Sequence, residues 1–139
     1  MGNFKVYGAS KIWHAPMWQT MRAELHNIVS RWIDLTDDNP IVQNQKDVLW
    51  RMCFEDVQAC DYLVLYSGDE KEEQRGALVE LGMAMGMNKP IFAINRCKSL
   101  RASPISDVAF THFDGFTWLD ATSMREGLFE ARERFANNQ

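Results

Sequence analysis

Tyr62-Leu63-Val64-Leu65-Tyr66 is an unbroken apolar run between Asp61 and the polar stretch Ser67–Gln74. A strand with one wet face alternates apolar and polar residues. A run without alternation suits a strand buried on both faces, as in a parallel sheet covered by helices. Upstream of it, a helix is predicted over about Gln43–Ala59, with Val48, Leu49, Met52, Cys53 and Val57 on its apolar face. Downstream, a helix spans about Gln74–Met87, Asn88-Lys89-Pro90 stops it, and Ile91–Ile94 is the next strand. Farther out, Phe4–Tyr7 opens a first strand that ends at Gly8-Ala9-Ser10. Pro16 then starts a helix at a position where its missing N–H costs nothing. Met17, Met21, Leu25 and Ile28 recur there at helical spacing, and Asn27 is the expected C-cap. Ile28–Ile33 reads as a second strand, closed by the polar cluster Asp34–Pro40. After an irregular stretch, Asn95–Asp114, Phe116–Leu119 is a fifth strand and Ala121–Ala136 a terminal helix with Leu128, Phe129 and Phe135 as its apolar contacts.

This alternation predicts an α/β three-layer sandwich, flavodoxin-like or Rossmann-like, with a five-stranded, mainly parallel sheet joined by right-handed crossovers. Residues 1–139 read as one domain, without repeats or linkers. Ligands of such sheets sit at the carboxyl ends of the strands, near the topological switch point. The loops to watch are therefore Gly8–Ala15, Asp34–Pro40, Ser67–Gly76 and Asn95–Arg101.

Composition narrows the function. Hydrophobic residues make up 46% and charged residues 24% of the 139, a globular balance. The net charge of −4 weighs against a nucleic-acid polymer and against a polybasic membrane anchor. No apolar run approaches the ~20 residues that span a bilayer. The opening residues lack the apolar core of a secretory signal, and Met1-Gly2 makes a poor myristoylation site because position 6 is Val. Three cysteines (Cys53, Cys60, Cys97) without a CxxC pair, and scattered His14, His26 and His112, argue against a zinc site and for buried thiols in a reducing cytoplasm.

Glu80 stands out within Gly76-Ala77-Leu78-Val79-Glu80-Leu81-Gly82-Met83-Ala84-Met85-Gly86-Met87. It is a carboxylate in an otherwise apolar helix, and Gly76 lies one turn before it on the same face. The missing side chain at Gly76 leaves room for the carboxylate to reach the mouth of the strand crevice. Gly82 and Gly86 are expected to let the helix pack closely on the sheet. A carboxylate beside apolar groups serves as nucleophile or acid/base in glycosyl transfer, where cleavage of a C–N bond builds positive charge on the sugar. A solvated helix glutamate is the plainer alternative.

Four segments together resemble the nucleoside 2-deoxyribosyltransferase family, which includes deoxynucleoside 5′-monophosphate N-glycosidases. They are Val6–Ser10, the stretch Phe54–Leu65 with Cys60 where the family commonly has Ala, the glycine-to-glutamate helix ending in Lys89-Pro90, and Ile91–Ile94. The resemblance implies Glu80 as the catalytic glutamate and Asp56 as the acid that orients sugar and nucleophile. It implies Tyr7, Gly8 and Ser10 as first-loop pocket residues. The adjoining Lys11-Ile12-Trp13-His14, with Ser30–Asp34 as companion, is similar to phage and bacterial members. There Trp13 would stack on a base and His14 hydrogen-bond to one. The loop before the helix departs from the family, with Arg75-Gly76-Ala77 in place of acidic residues and Gly-Thr. Ser67 and Gly68 are candidate donors to a phosphate there, although Asp69, Glu70, Glu72 and Glu73 would repel one.

The expected reaction is cleavage or transfer at the N-glycosidic bond of a (deoxy)nucleoside or its 5′-monophosphate, with no metal or organic cofactor. The family implies a homodimer or larger homo-oligomer, for which Met83, Met85 and Met87 with Gly82 and Gly86 are a candidate contact. The alternatives are a non-catalytic nucleotide-binding module, a TIR-like NAD glycohydrolase and a flavodoxin-like electron carrier; no G-x-G-x-x-G follows a strand.

Overall fold

The computed structural model describes residues 3–24 and 26–138. The apolar position Leu25 and the Met1-Gly2 start lie outside the described residues. Strands β1 (Val6–Ala9), β2 (Tyr62–Tyr66), β3 (Ile91–Ile94) and β6 (Phe116–Trp118) form one parallel sheet in the order β1-β2-β3-β6. β4 (Arg101–Ser103) and β5 (Ser106–Asp107) form a separate antiparallel pair inside the stretch expected to be irregular. The helices are α1 (Ala15–Ala23), α2 (Pro40–Gln43), α3 (Lys46–Ala59), α4 (Arg75–Gly86) and α5 (Met124–Asn137). All five residues of β2 are buried, as are all four of β1 and of β3, which is the burial the apolar run called for. At about 1.5–3 kcal/mol for each large side chain removed from water, these strands anchor the core.

Helices cover both faces of the sheet. In β1, Tyr7 faces Glu80 of α4 and Cys53 of α3, while the next residue, Gly8, lies against the Trp18 ring of α1. In β2, Tyr62 packs on Phe135 of α5. Neighbouring residues of a strand point to opposite faces, so α3 and α4 share one side and α1 and α5 the other. Among the described residues no helix is long and apolar enough to cross a membrane.

The sheet has four strands, not five. The expected strand Ile28–Ile33 is reduced to a single parallel bridge, Ile28 with Val6, and Arg31–Asp34 is a 3-10 turn. Side chains take over where its backbone would have paired. Gly8 N–H donates to Ser30 Oγ at 3.1 Å, and the Trp32 indole N–H donates to Gly8 O at 2.9 Å. With both outward groups of Gly8 satisfied, nothing requires the chain to stay extended beyond Val29.

Smaller differences have local causes. α1 ends at Ala23, and Asn27 is no C-cap; its carbonyl accepts from Val6 N–H at 2.9 Å. The second helix, expected from about Gln43, is α3 and starts at Lys46; α2 is a separate short turn before it, capped by Asn39 with Pro40 in its first position. Gly82 and Gly86 do not meet the sheet. A Cβ at either would touch nothing within 4 Å, and Ala77, Leu81 and Ala84 are the residues of α4 that pack inward. Asn88-Lys89-Pro90 stops α4 as expected. Asn88 takes the left-handed conformation at φ 58°, and Lys89 donates to the Gln58 and Cys60 carbonyls at 2.8 and 2.6 Å, capping the end of α3.

Candidate active site

The chain leaves β1 for α1 on one side of the sheet, then returns across it through α3 to β2. The loops after β1 and β2 therefore diverge and leave a crevice between them. A cavity of about 430 Å³ occupies it. Ser10–Ile12 after β1, Trp32 of the 3-10 turn, the inner face of α3 and the start of α4 line it. Its walls are mainly apolar and aromatic, with Trp32 and Trp50 among them, and among the described residues Glu80 is the only carboxylate that lines it.

Glu80 reaches the cavity from the second turn of α4, and Gly76, one turn earlier, lines it too. A Cβ at Gly76 would meet nothing, so glycine there leaves cavity space open and meets no packing demand. Burial pushes the Glu80 carboxyl up to about 7, against the opposing pull of Tyr7 and Cys53. The same crowding raises Cys53 to about 12, which makes it a neutral thiol and no nucleophile at neutral pH. The Tyr7 hydroxyl is wholly buried beside both, its pKa well above the ordinary value, and it has no formed hydrogen bond. A carboxyl poised near neutrality among apolar walls can ionise, attack an electrophilic carbon or exchange a proton.

The other expected site residues separate into three groups. Ser10 lines the cavity, its hydroxyl accepting from the Trp18 indole at 2.8 Å. Gly8 lies behind it, and glycine is needed there because a Cβ would come within 2.6 Å of the Trp18 ring. Asp56 is buried and does not line the cavity. It accepts from Arg31 N–H at 2.8 Å and from Arg31 Nε at 3.0 Å, so it ties α3 to the turn that carries Trp32. In this structure it holds that turn to α3 and does not line the cavity.

Trp13, His14, Ser67 and Gly68 belong to the neighbouring loop. Trp13 is 63% exposed, outside the cavity, with Lys11 Nζ 5.3 Å from its ring. His14 is buried and its Nε2 lies 3.0 and 3.1 Å from the two Glu72 oxygens. A carboxylate only accepts, so the proton of that pair sits on Nε2. Glu72 also accepts from Gly68 N–H at 2.7 Å and Asp69 N–H at 3.1 Å. The Gly68 amide expected to hold a phosphate is thus filled by the chain's own carboxylate. Ser67 is buried, its hydroxyl accepting from Gln74 Nε2 at 3.2 Å.

Sequence reading passed over Trp32, Trp50, Gln74, Lys11 and Lys46 as pocket residues, and took Arg75, with Lys71, only as a partial offset to the loop's acids; the structure brings these five and Arg75 to the cavity. Trp50 and Cys53 share the inner face of α3, a signal available in the helical spacing. The three cations lie on three separate elements, and no local pattern joins them. No protein-family model matches this chain, and no curated protein matches it significantly.

Proposed function

We propose that this protein cleaves or transfers the N-glycosidic bond of a nucleoside or its 5′-monophosphate, with Glu80 as nucleophile. The observation that carries the reading is a single carboxyl, raised to about 7 by burial, in an apolar cavity with two tryptophans at the sheet's switch point. The Ile28 bridge supports a flavodoxin-like ancestry for the fold, since it holds the second-strand place in the order 2-1-3-4-5. The resemblance of the glycine-to-glutamate helix to the nucleoside 2-deoxyribosyltransferase family supports the chemistry.

In the proposed reaction, an ionised Glu80 oxygen bonds to C1′ while the C1′–N bond breaks. The base leaves with that electron pair and takes a proton from solvent. Water or a second base then attacks C1′ and frees the carboxylate. The aromatic walls hold the base by stacking and exclude water from the developing charge. Exposed Trp50 and Val79 flank the mouth, and a second copy of the chain is the cover we expect there.

The test is chromatographic detection of free base from a panel of deoxynucleosides and their monophosphates, with and without a second base. Release or exchange that disappears in Glu80→Gln is the expected result. Binding without base release would reduce the protein to a nucleotide-binding module.

A further inference from the structure

The cavity wall carries Lys11, Lys46 and Arg75 against one acid, Glu80, in a chain whose net charge is −4. Most cations near carboxylates here are paired: Arg22 with Asp34, Arg31 with Glu55 and Asp56, Arg96 with Asp107, Arg125 with Glu24. Among the described residues Lys11 and Lys46 make no ion pair, and Arg75 only grazes Glu73 at 3.9 Å. Lys46 and Arg75 are the first residues of α3 and α4, where the helix dipole disfavours a cation. No side chain caps α4, its first turn has no acid, and Arg75, Gly76 and Ala77 all line the cavity. Lys11, Lys46 and Arg75 border one opening from three elements. The Arg75 side chain is 91% exposed and the Lys11 ammonium lies 5.3 Å from the Trp13 ring, so neither is tied to a carboxylate at close range and both long side chains are free to turn to a bound anion.

A second, independent observation points to a ligand at the same helix start. Gln74 is 1% exposed and lines the cavity, and its Oε1 has no hydrogen-bond partner. The amide cannot be turned round to relieve this. Its other end donates to the Tyr66 carbonyl at 2.9 Å, and a carbonyl only accepts. The free atom therefore wants a donor, which a sugar hydroxyl supplies. The neighbouring loop offers no rival anion site, because Glu72 fills its Gly68 and Asp69 amides.

We infer that the cavity takes a nucleoside 5′-monophosphate in preference to the free nucleoside. Lys11, Lys46, Arg75 and the start of α4 hold the phosphate, and Gln74 accepts from the sugar. This rests on the glycosidic reading of Glu80 for the identity of the sugar and base.

Intrinsic tryptophan fluorescence, to which Trp32 and Trp50 contribute from the cavity, reads binding in Glu80→Gln, where no turnover intervenes. The titrants are a deoxynucleoside 5′-monophosphate, the matching deoxynucleoside and inorganic phosphate. The monophosphate is expected to bind at least about tenfold more tightly than the nucleoside at low salt, and the gap narrows as salt rises. Lys11→Ala/Lys46→Ala/Arg75→Ala is expected to abolish that gap while leaving nucleoside binding within about twofold. Equal affinities, a gap that survives the triple variant, or no binding of any titrant would overturn the proposal. Tight monophosphate binding with no base release by the wild-type protein would keep the anion site and remove the glycosidic reading. Base release from nucleoside and monophosphate with equal kcat/KM would do the reverse.

Discussion

Two polar clusters lie side by side at the carboxyl ends of β1 and β2. In the loop after β2, His14, Glu72 and the Gly68 and Asp69 amides close on one another, and Gln74 Nε2 ties Ser67 to Tyr66. In the cavity beside it, a carboxyl is raised to about 7, a thiol to about 12, and a glutamine oxygen has no partner; the Tyr7 hydroxyl, buried behind the carboxyl and thiol, has none either. Both clusters hold a carboxylate and both are largely buried. The first satisfies its polar groups from within the chain, as buried structural networks do. The second leaves them open, which costs stability and is tolerated where a ligand completes the set. On the proposed reading, Glu72 is the structural acid of the two and Glu80 the functional one.

The strongest way to break this comparison is Glu80→Gln. Base release should fall by at least about a thousandfold, while the protein becomes more stable in mild alkali. Glu80 has a folded pKa above its ordinary 4.5, so the folded state binds the proton more tightly than the unfolded one. Its contribution is fully present below pH 4.5 and is lost as pH rises through about 7. Replacing it with a neutral amide should therefore raise stability by about 2 kcal/mol at pH 8 and hardly at all at pH 4. Urea melts at the two pH values measure this. Equal changes at both would mean that burial does not perturb Glu80. In the wild-type protein the same titration should make kcat/KM fall below about pH 7, as the carboxylate takes up its proton.

Next in size is Gly8→Ala, which forces a methyl against the Trp18 ring and the backbone that Ser30 and Trp32 hold. A loss of about 2–3 kcal/mol in chemical denaturation is expected. A neutral result would show that Trp18 has room to move. Glu72→Ala should cost about 2 kcal/mol by stranding two amides and His14, yet leave kcat/KM within a few-fold. Lost turnover at unchanged stability would move Glu72 from the structural cluster to the functional one.

How much of this was legible follows from the range of the forces involved. β2 and β3 could be read because burial on both faces leaves an unbroken apolar run. Glu80 could be read because a charge among Leu78, Leu81 and Ala84 violates the pattern of its helix. The missing fifth strand could not, since it depends on Ser30 and Trp32 side chains reaching a glycine backbone 22 and 24 residues away. Glycine in a helix does not declare its face, so the sequence carries no sign that Gly82 and Gly86 are exposed. His14 and Glu72 meet across 58 residues, and two plausible ligand groups proved to be partners of each other.

The smallest expected effect tests the boundary between the two clusters. Trp13 looked like a base-stacking residue, but it stands outside the cavity, and its one recorded cation contact is with Lys11. That contact is worth about 0.5 kcal/mol at an exposed position. Trp13→Ala should therefore change KM by no more than about twofold and leave kcat unchanged. A tenfold rise in KM would place the base over Trp13, above the groove with His14 and Glu72. The ligand would then span both clusters, and the closed network beneath it would be the floor of a larger site.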